Sequence, residues 1–377
     1  MMRTLATAAI RGGNLELGWR GGDGPETLSL LWLRDHCSCP ACLHPETRQR
    51  QVDTFALPTE LAPRRVEVAE NGRQLVIEWH DGHVSRIAAA DLQSASPPEP
   101  ARILWDQARI GAETPQVAFQ AVMAADDSGL REWLEKIERY GFCFVEDTPA
   151  TPEATQAVAK RVAYVRETVF GGYWDFTANM EHKDTAYTTM AIGPHTDGTY
   201  SFDAPGYQMF HCLAFDGEGG ASVFVDGFEI ADIMRCETPE LYRALTEIEV
   251  TGQYLDEEKG IHLLARRPAL RLDSAGSLVQ VSFNNLDRAP FRLPAARMDL
   301  FYRAYGAFAR LANDPRLQYR RRLAPGSLVL FDNWRLLHAR DAYSGYRRLA
   351  GVYLNKEDVE GRLRGLRNKD AQRATAA

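Results

Sequence analysis

The sequence predicts a mainly β protein with helices. A small β-rich N-terminal domain, residues 1–98, precedes a double-sheet β domain buttressed by helices, residues 99–377. Three observations carry that reading. Short β-like runs broken by turns fill residues 14–95, and they dominate again from Tyr187 onward. The stretch Ser94-Ala95-Ser96-Pro97-Pro98-Glu99-Pro100 is the strongest linker signal in the chain. Helical spacing is confined to a few segments, and many short strands with few helices pack as two facing sheets.

Each element has a local cause. Asn14–Trp19 is strand-like in its patterning, and Val66–Val68 and Gln74–Trp79 are β-like runs. His80-Asp81-Gly82 is a turn, and His83–Ile87 after it completes a hairpin. Beyond the linker, Leu130, Trp133, Leu134 and Ile137 fall on one helical face, Gly141 ends that helix, and Phe142–Val145 reads as a buried strand. Thr151-Pro152-Glu153 is a capped helix start with proline at the first position, and the helix is expected to run to about Val169. Further helices are expected near Pro239–Thr246 and Met298–Leu311.

Composition narrows the function. With 377 residues, 45% apolar, 25% charged and 10% aromatic, the chain can bury a core without staples. Its 44 basic against 51 acidic residues give a net charge of −7, which argues against tracking nucleic acid or anionic membranes. Arg320-Arg321-Arg322 is the single dense basic cluster of the interior and reads as a solvated face in a polar connection. No apolar stretch approaches the roughly 18–20 residues of a membrane span. Met1–Gly13 lacks a signal-peptide pattern, so the expected address is the cytoplasm.

Three of the six cysteines crowd into Asp35-His36-Cys37-Ser38-Cys39-Pro40-Ala41-Cys42. Thiolates at this spacing suit zinc, which takes four tetrahedral ligands. His36, His44, His80 and His83 are candidates for the fourth, and His83 is expected because it follows a rigid hairpin turn. Closed by Cys37, Cys39, Cys42 and His83, the site would be structural. Cys143, Cys212, Cys236 and His211 sit in apolar runs and are expected in the core.

Gly193-Pro194-His195-Thr196-Asp197-Gly198 sets an imidazole and a carboxylate two apart, on one face if the segment is a strand. Phe331 through His338 supplies a second imidazole at a strand end. Two His and one carboxylate leave three open positions on iron(II). Arg347, nine residues beyond His338, offers a guanidinium for the far carboxylate of 2-oxoglutarate, and Ser222 a hydroxyl for the same anion.

These motifs resemble the iron(II)/2-oxoglutarate dioxygenases of the taurine dioxygenase superfamily, in the γ-butyrobetaine and trimethyllysine hydroxylase branch. The matching text is Asp184–Thr189, His195–Asp197, Phe210–Leu213, Val225–Phe228, Phe283–Asn285, Phe331–His338 and Gly345–Leu354. The Cys3His module belongs to the same branch. The resemblance implies a double-stranded β-helix (jelly roll). Iron would sit on His195, Asp197 and His338, with Arg347 holding 2-oxoglutarate and O2 as second cosubstrate. It also implies an aromatic cage for a quaternary ammonium at Trp174, Tyr187 and Tyr353, with Tyr173 beside Trp174, and a homodimer. Position 184 is Asp where γ-butyrobetaine enzymes carry Asn, and position 198 is Gly where they carry Tyr, which disfavours that substrate. Asn284, Asn285 and Arg288 are the expected donors to an anionic head. Within the branch the pattern is most similar to the bacterial 2-(trimethylammonio)ethylphosphonate dioxygenases, whose larger head would use the room at Gly198. That phosphonate is the expected substrate, with trimethyllysine and then γ-butyrobetaine as alternatives. A ligand sensor that kept the fold without catalysis is the rival class, and an intact triad with Arg347 argues against it.

Overall fold

The computed structural model describes residues 3–22, 24–93, 102–177 and 188–376, the side chains of 370–376 excepted. The chain divides into two units, Met1–Glu99 and Pro100–Ala377. The linker residues 94–100 lie outside the described residues.

The first unit holds two three-stranded antiparallel sheets. Leu5–Arg11, Asn14–Trp19 and Glu26–Ser29 form one; Pro63–Ala69, Gln74–Trp79 and Val84–Ala88 form the other. Successive strand side chains point to opposite faces. Leu15, Leu17 and Trp19 therefore share one buried face, and they meet Leu75, Ile77 and Trp79 in a single core. Ser29 caps the short helix Leu30–Asp35 by accepting from Trp32 N, and that helix feeds directly into the cysteine loop.

The second unit is built from a seven-stranded and a four-stranded sheet. In the larger, Tyr343–Leu354 lies between Tyr173–Phe176 and Tyr207–Gly219; Leu328–Asp332, Phe142–Glu146 and Gln116–Ala118 follow in that order. The smaller runs Ile192–His195, Leu336–Arg340, Ser222–Asp226, Gln318–Arg321. The two-residue period sorts their side chains. Cys143, Val145, Leu328 and Leu330 share one cluster with side chains of the helices Ser128–Tyr140 and Pro152–Val162. Phe142, Phe144, Val329 and Phe331 face the other way, where Phe224 of the smaller sheet stacks on Phe142 at 5.4 Å. Val223 and Val225, flanking Phe224, turn outward to Gly227–Glu237 and Ala295–Ala312. The result is the curled half-barrel of a jelly roll with an aromatic interior and a helical layer outside each sheet. Truncating one of the fully buried phenylalanines to Ala would cost about 3–5 kcal/mol.

Three local expectations change. The helix from Pro152 ends at Val162, because Val165–Arg166 pairs as an edge strand with Tyr353 and Leu354. Strand pairing there wins over continued helix. Arg320 and Arg321 lie in a strand rather than a loop; Arg320 pairs with Asp341 and Arg321 with Glu146. Cys236 is exposed near the end of the helix Gly227–Glu237, whereas Cys143 and Cys212 are buried. The C-terminal helix Lys356–Ala376, for which the sequence set no expectation, docks through Val359, Leu363 and Leu366, a short stripe at helical spacing. Among the described residues no helix is long and apolar enough to cross a membrane.

Candidate active site

His195 closes one strand of the smaller sheet and stands opposite His338 in register, with ring centroids 4.2 Å apart. Asp197 follows in a bend, not on the strand, so strand alternation does not explain its aim. The clamp is Asn333. Its Oδ1 accepts from Asp197 N at 2.8 Å, while Nδ2 donates to Asp197 O at 3.0 Å and Pro205 O at 2.9 Å. Asp197 Oδ1 then lies 3.3 Å from His195 Nε2, and Oδ2 3.7 Å from His338 Nε2.

Ligands about 2.1 Å from one cation, at right angles, stand roughly 3 Å apart; one ligand atom from each of the three residues lies within 4.8 Å of the others, so the set fits a metal held on one face. His195 Nδ1 is tied to Gly193 O at 2.8 Å, which turns Nε2 toward the centre. The electrostatics agree. Burial works against the Asp197 carboxylate, but both imidazoles outweigh it and hold its pKa well below the usual range. Burial and the neighbouring His195 push His338 down to about 3. Against its burial, the Asp197 carboxylate raises the His195 pKa, so of the two imidazoles it is His338 that is held in the neutral form a divalent cation takes as ligand.

The triad opens on a pocket. Ser222 and Arg347 line it as well, both buried. The Arg347 guanidinium lies 5.5 Å from the Tyr343 ring and makes no ion pair among the described residues. Burial, with Arg340 nearby, pulls it down to about 10. A buried cation facing a cavity calls for an anion.

In the first unit, His83 Nε2 lies 3.2, 3.8 and 3.6 Å from the sulfurs of Cys37, Cys39 and Cys42. Zn–S near 2.3 Å and Zn–N near 2.0 Å in a tetrahedron place ligand atoms roughly 3.5–3.8 Å apart, so this set fits zinc. Asp81 Oδ1 accepts from His83 N at 2.9 Å, and Arg34 donates to Cys42 Sγ at 3.5 Å. His36 instead stacks on Trp32 at 4.4 Å, and His44 Nδ1 accepts from Glu46 and Thr47.

Comparison with known proteins draws these parts together. Residues 97–353 match the taurine catabolism dioxygenase TauD, TfdA family, and residues 8–71 match the γ-butyrobetaine hydroxylase-like N-terminal family. The chain belongs to the TauD, TfdA dioxygenase family. It is 34% identical to a trimethyllysine dioxygenase of Meyerozyma guilliermondii over 96% of both chains. It is 35% identical to a γ-butyrobetaine dioxygenase of Pseudomonas sp., again over 96% of both. The mitochondrial trimethyllysine dioxygenase of Gallus gallus is 34% identical over 95% of this chain and 87% of its own. The protein is an Fe(II)/2-oxoglutarate-dependent dioxygenase.

Around the centre of this dioxygenase the walls are aromatic. Trp174, Tyr353, Phe170, Phe176 and Phe210 line the cavity. Trp174 lies across from Gly351, where a Cβ would meet its ring at 1.9 Å; only glycine lets the indole lie against the strand. Tyr173, one residue earlier on the same strand, points to the opposite face, is 39% exposed, and does not line the cavity. Asp184 and Tyr187 lie outside the described residues, as does His182.

Asn284 lines the cavity, but its amide is engaged in its own turn, accepting from Leu286 N and donating to Asp287 at 2.7 Å. Asn285 and Arg288 line a neighbouring pocket, which shares His195, Asn284 and Leu286 with the first. Arg288 packs there against Tyr302, 5.8 Å from its ring. Gly198 does not leave room at the centre. Its φ is +73°, and an added Cβ would meet Pro205 at 2.4 Å beside a different pocket.

Sequence reasoning overlooked Asn333 and Gln208. Gln208 is a lone amide in the apolar run Tyr207–Phe210, and that anomaly was its signal; the bend at Asp197 leaves no pattern that would point to Asn333.

Proposed function

We propose that this dioxygenase hydroxylates a trimethylammonium substrate, with trimethyllysine as the compound. The observation that carries the reading is the aromatic wall of Trp174 and Tyr353, 5.4 Å apart, beside the triad. A quaternary ammonium has no N–H to donate, so aromatic faces are the natural partners for its charge. The names of the relatives at 34% and 35% identity support the class, and those acting on trimethyllysine recur among them. They favour trimethyllysine over the phosphonate expected from the sequence. Asp184 in place of Asn, and an α-amine needing an anionic partner, favour it over γ-butyrobetaine.

In this reading His195, Asp197 and His338 hold iron(II), and Arg347 with Ser222 holds the far carboxylate of 2-oxoglutarate. Asn284 faces the substrate's amino-acid end. Tyr173 drops out as a cage wall, Asn285 and Arg288 act from the neighbouring cavity, and Tyr187 completes the cage. Iron held there would supply the activation of O2 for the reaction in which 2-oxoglutarate becomes succinate and CO2, one oxygen atom entering succinate and the other a substrate C–H bond. The chain's own part is placement: the cage fixes the cation, Arg347 fixes the cosubstrate, and the apolar walls keep water out. Cys37, Cys39, Cys42 and His83 hold structural zinc. The assembly we propose is a homodimer, read by light scattering as twice the 42.3 kDa chain mass. Trimethyllysine, the phosphonate and γ-butyrobetaine offered together test the substrate by mass spectrometry. Oxygen gain in trimethyllysine is expected; gain in another compound alone overturns that choice.

A further inference from the structure

The Tyr353 hydroxyl does something an aromatic wall does not require. It donates to Asp197 Oδ2 at 2.7 Å. Its own oxygen accepts from Gln208 Nε2 in a long contact of 3.5 Å. Gln208 and Tyr353 stand opposite each other in register on neighbouring strands, so the backbone ladder fixes their approach. Gln208 is only 2% exposed, and its Oε1 has no hydrogen-bond partner among the described residues. A hydroxyl has one proton. With that proton committed to the carboxylate, the amide can meet the hydroxyl only as donor, and the three groups align in one direction, Gln208 to Tyr353 to Asp197.

We propose that Tyr353, supported by Gln208, is a positioning residue for the metal-binding carboxylate. By occupying Oδ2 it leaves Oδ1, the oxygen 3.3 Å from His195 Nε2, as the single ligand atom. A carboxylate free at both oxygens can chelate a cation with both and close one of the three positions that cosubstrate and O2 need. Asn333 holds the main chain of the same residue, so Asp197 is fixed at both ends. The inference rests on the iron site of the proposed function and not on its substrate.

The test is Tyr353→Phe, which keeps the ring and removes the hydroxyl. Manganese(II) is titrated into the zinc-loaded protein with no organic substrate present, by calorimetry and paramagnetic resonance. Removing such a partner of a metal ligand typically costs 10–100-fold in affinity, so about a tenfold weaker manganese affinity is expected. In turnover, kcat should fall at least tenfold while KM for the cation stays within twofold, because the aromatic face survives. Should Tyr353→Phe fail to fold, Gln208→Met carries the same titration, with a smaller loss in the same direction. Manganese affinity within twofold of wild type in a folded Tyr353→Phe protein overturns the proposal. A wrong substrate assignment would leave this titration untouched, so the two failures are separable.

Discussion

Replacing Arg347 with Met separates binding from folding, because the two respond in opposite directions. Burial, with Arg340 nearby, holds the guanidinium at about 10, more than two units below its ordinary value. At 1.36 kcal/mol per pKa unit, carrying the charge in the fold costs about 3 kcal/mol. The folded pKa is the depressed one, so this cost is present at neutral pH and vanishes only above about 12. Met removes the charge and keeps much of the stem packing, so the cosubstrate-free protein should melt no lower than wild type. A carboxylate on Arg347 makes two charge-assisted hydrogen bonds, each worth roughly 1.5–3 kcal/mol. Their loss corresponds to about 3–6 kcal/mol, or roughly 10²–10⁴-fold in Kd for 2-oxoglutarate. The assay is anoxic titration of 2-oxoglutarate into the iron-loaded protein, followed by its visible charge-transfer band, with thermal unfolding of the cosubstrate-free protein alongside. A Kd within threefold of wild type would refute the assignment.

Further outcomes follow from the same structure. Trp174→Leu removes one cage face worth about 0.5–2 kcal/mol, so KM for the cation should rise about 2- to 30-fold with 2-oxoglutarate affinity unchanged. Cys39→Ser should empty the Cys3His site by metal analysis and lower the unfolding midpoint; full zinc retention would contradict that ligand set. Arg335 and Asp226 form a buried pair at 2.6 Å, and Arg335→Met strands the carboxylate, costing about 3–5 kcal/mol in urea unfolding. Burial pushes the fully enclosed His211 down to about 4, below its unfolded value near 6.5. Its contribution is therefore complete above about pH 6.5 and is lost as pH falls from there toward 4. Stability measured at pH 7 and 5 should differ less in His211→Asn than in wild type.

What the sequence disclosed depended on whether local chemistry or tertiary contact decided the matter. Gly141 stops a helix by adopting φ +85°, and that rule is local, so the boundary between Tyr140 and Phe142 was legible. The cysteine loop and the His80–Gly82 turn were legible for the same reason. The end of the next helix was not, because Val165 and Arg166 take their conformation from a strand almost two hundred residues away. Tyr173 and Trp174 show the limit at the site itself. The pair is adjacent in sequence, but strand alternation sends one to each face, and only the pairing of Trp174 with Gly351 decides which faces the cavity. Asp197 shows the converse, since its aim comes from Asn333, 136 residues on, and not from its own spacing. Arg288 was read as a donor by residue type, yet the fold places it in a neighbouring cavity.

Succinate formation from 2-oxoglutarate, with iron(II) and trimethyllysine present, tests the account most directly. Wild-type protein should release succinate only when both iron and the cation are supplied, and His195→Ala should release none above background. Full succinate formation by His195→Ala, or none by wild type with any trimethylammonium compound, would contradict it.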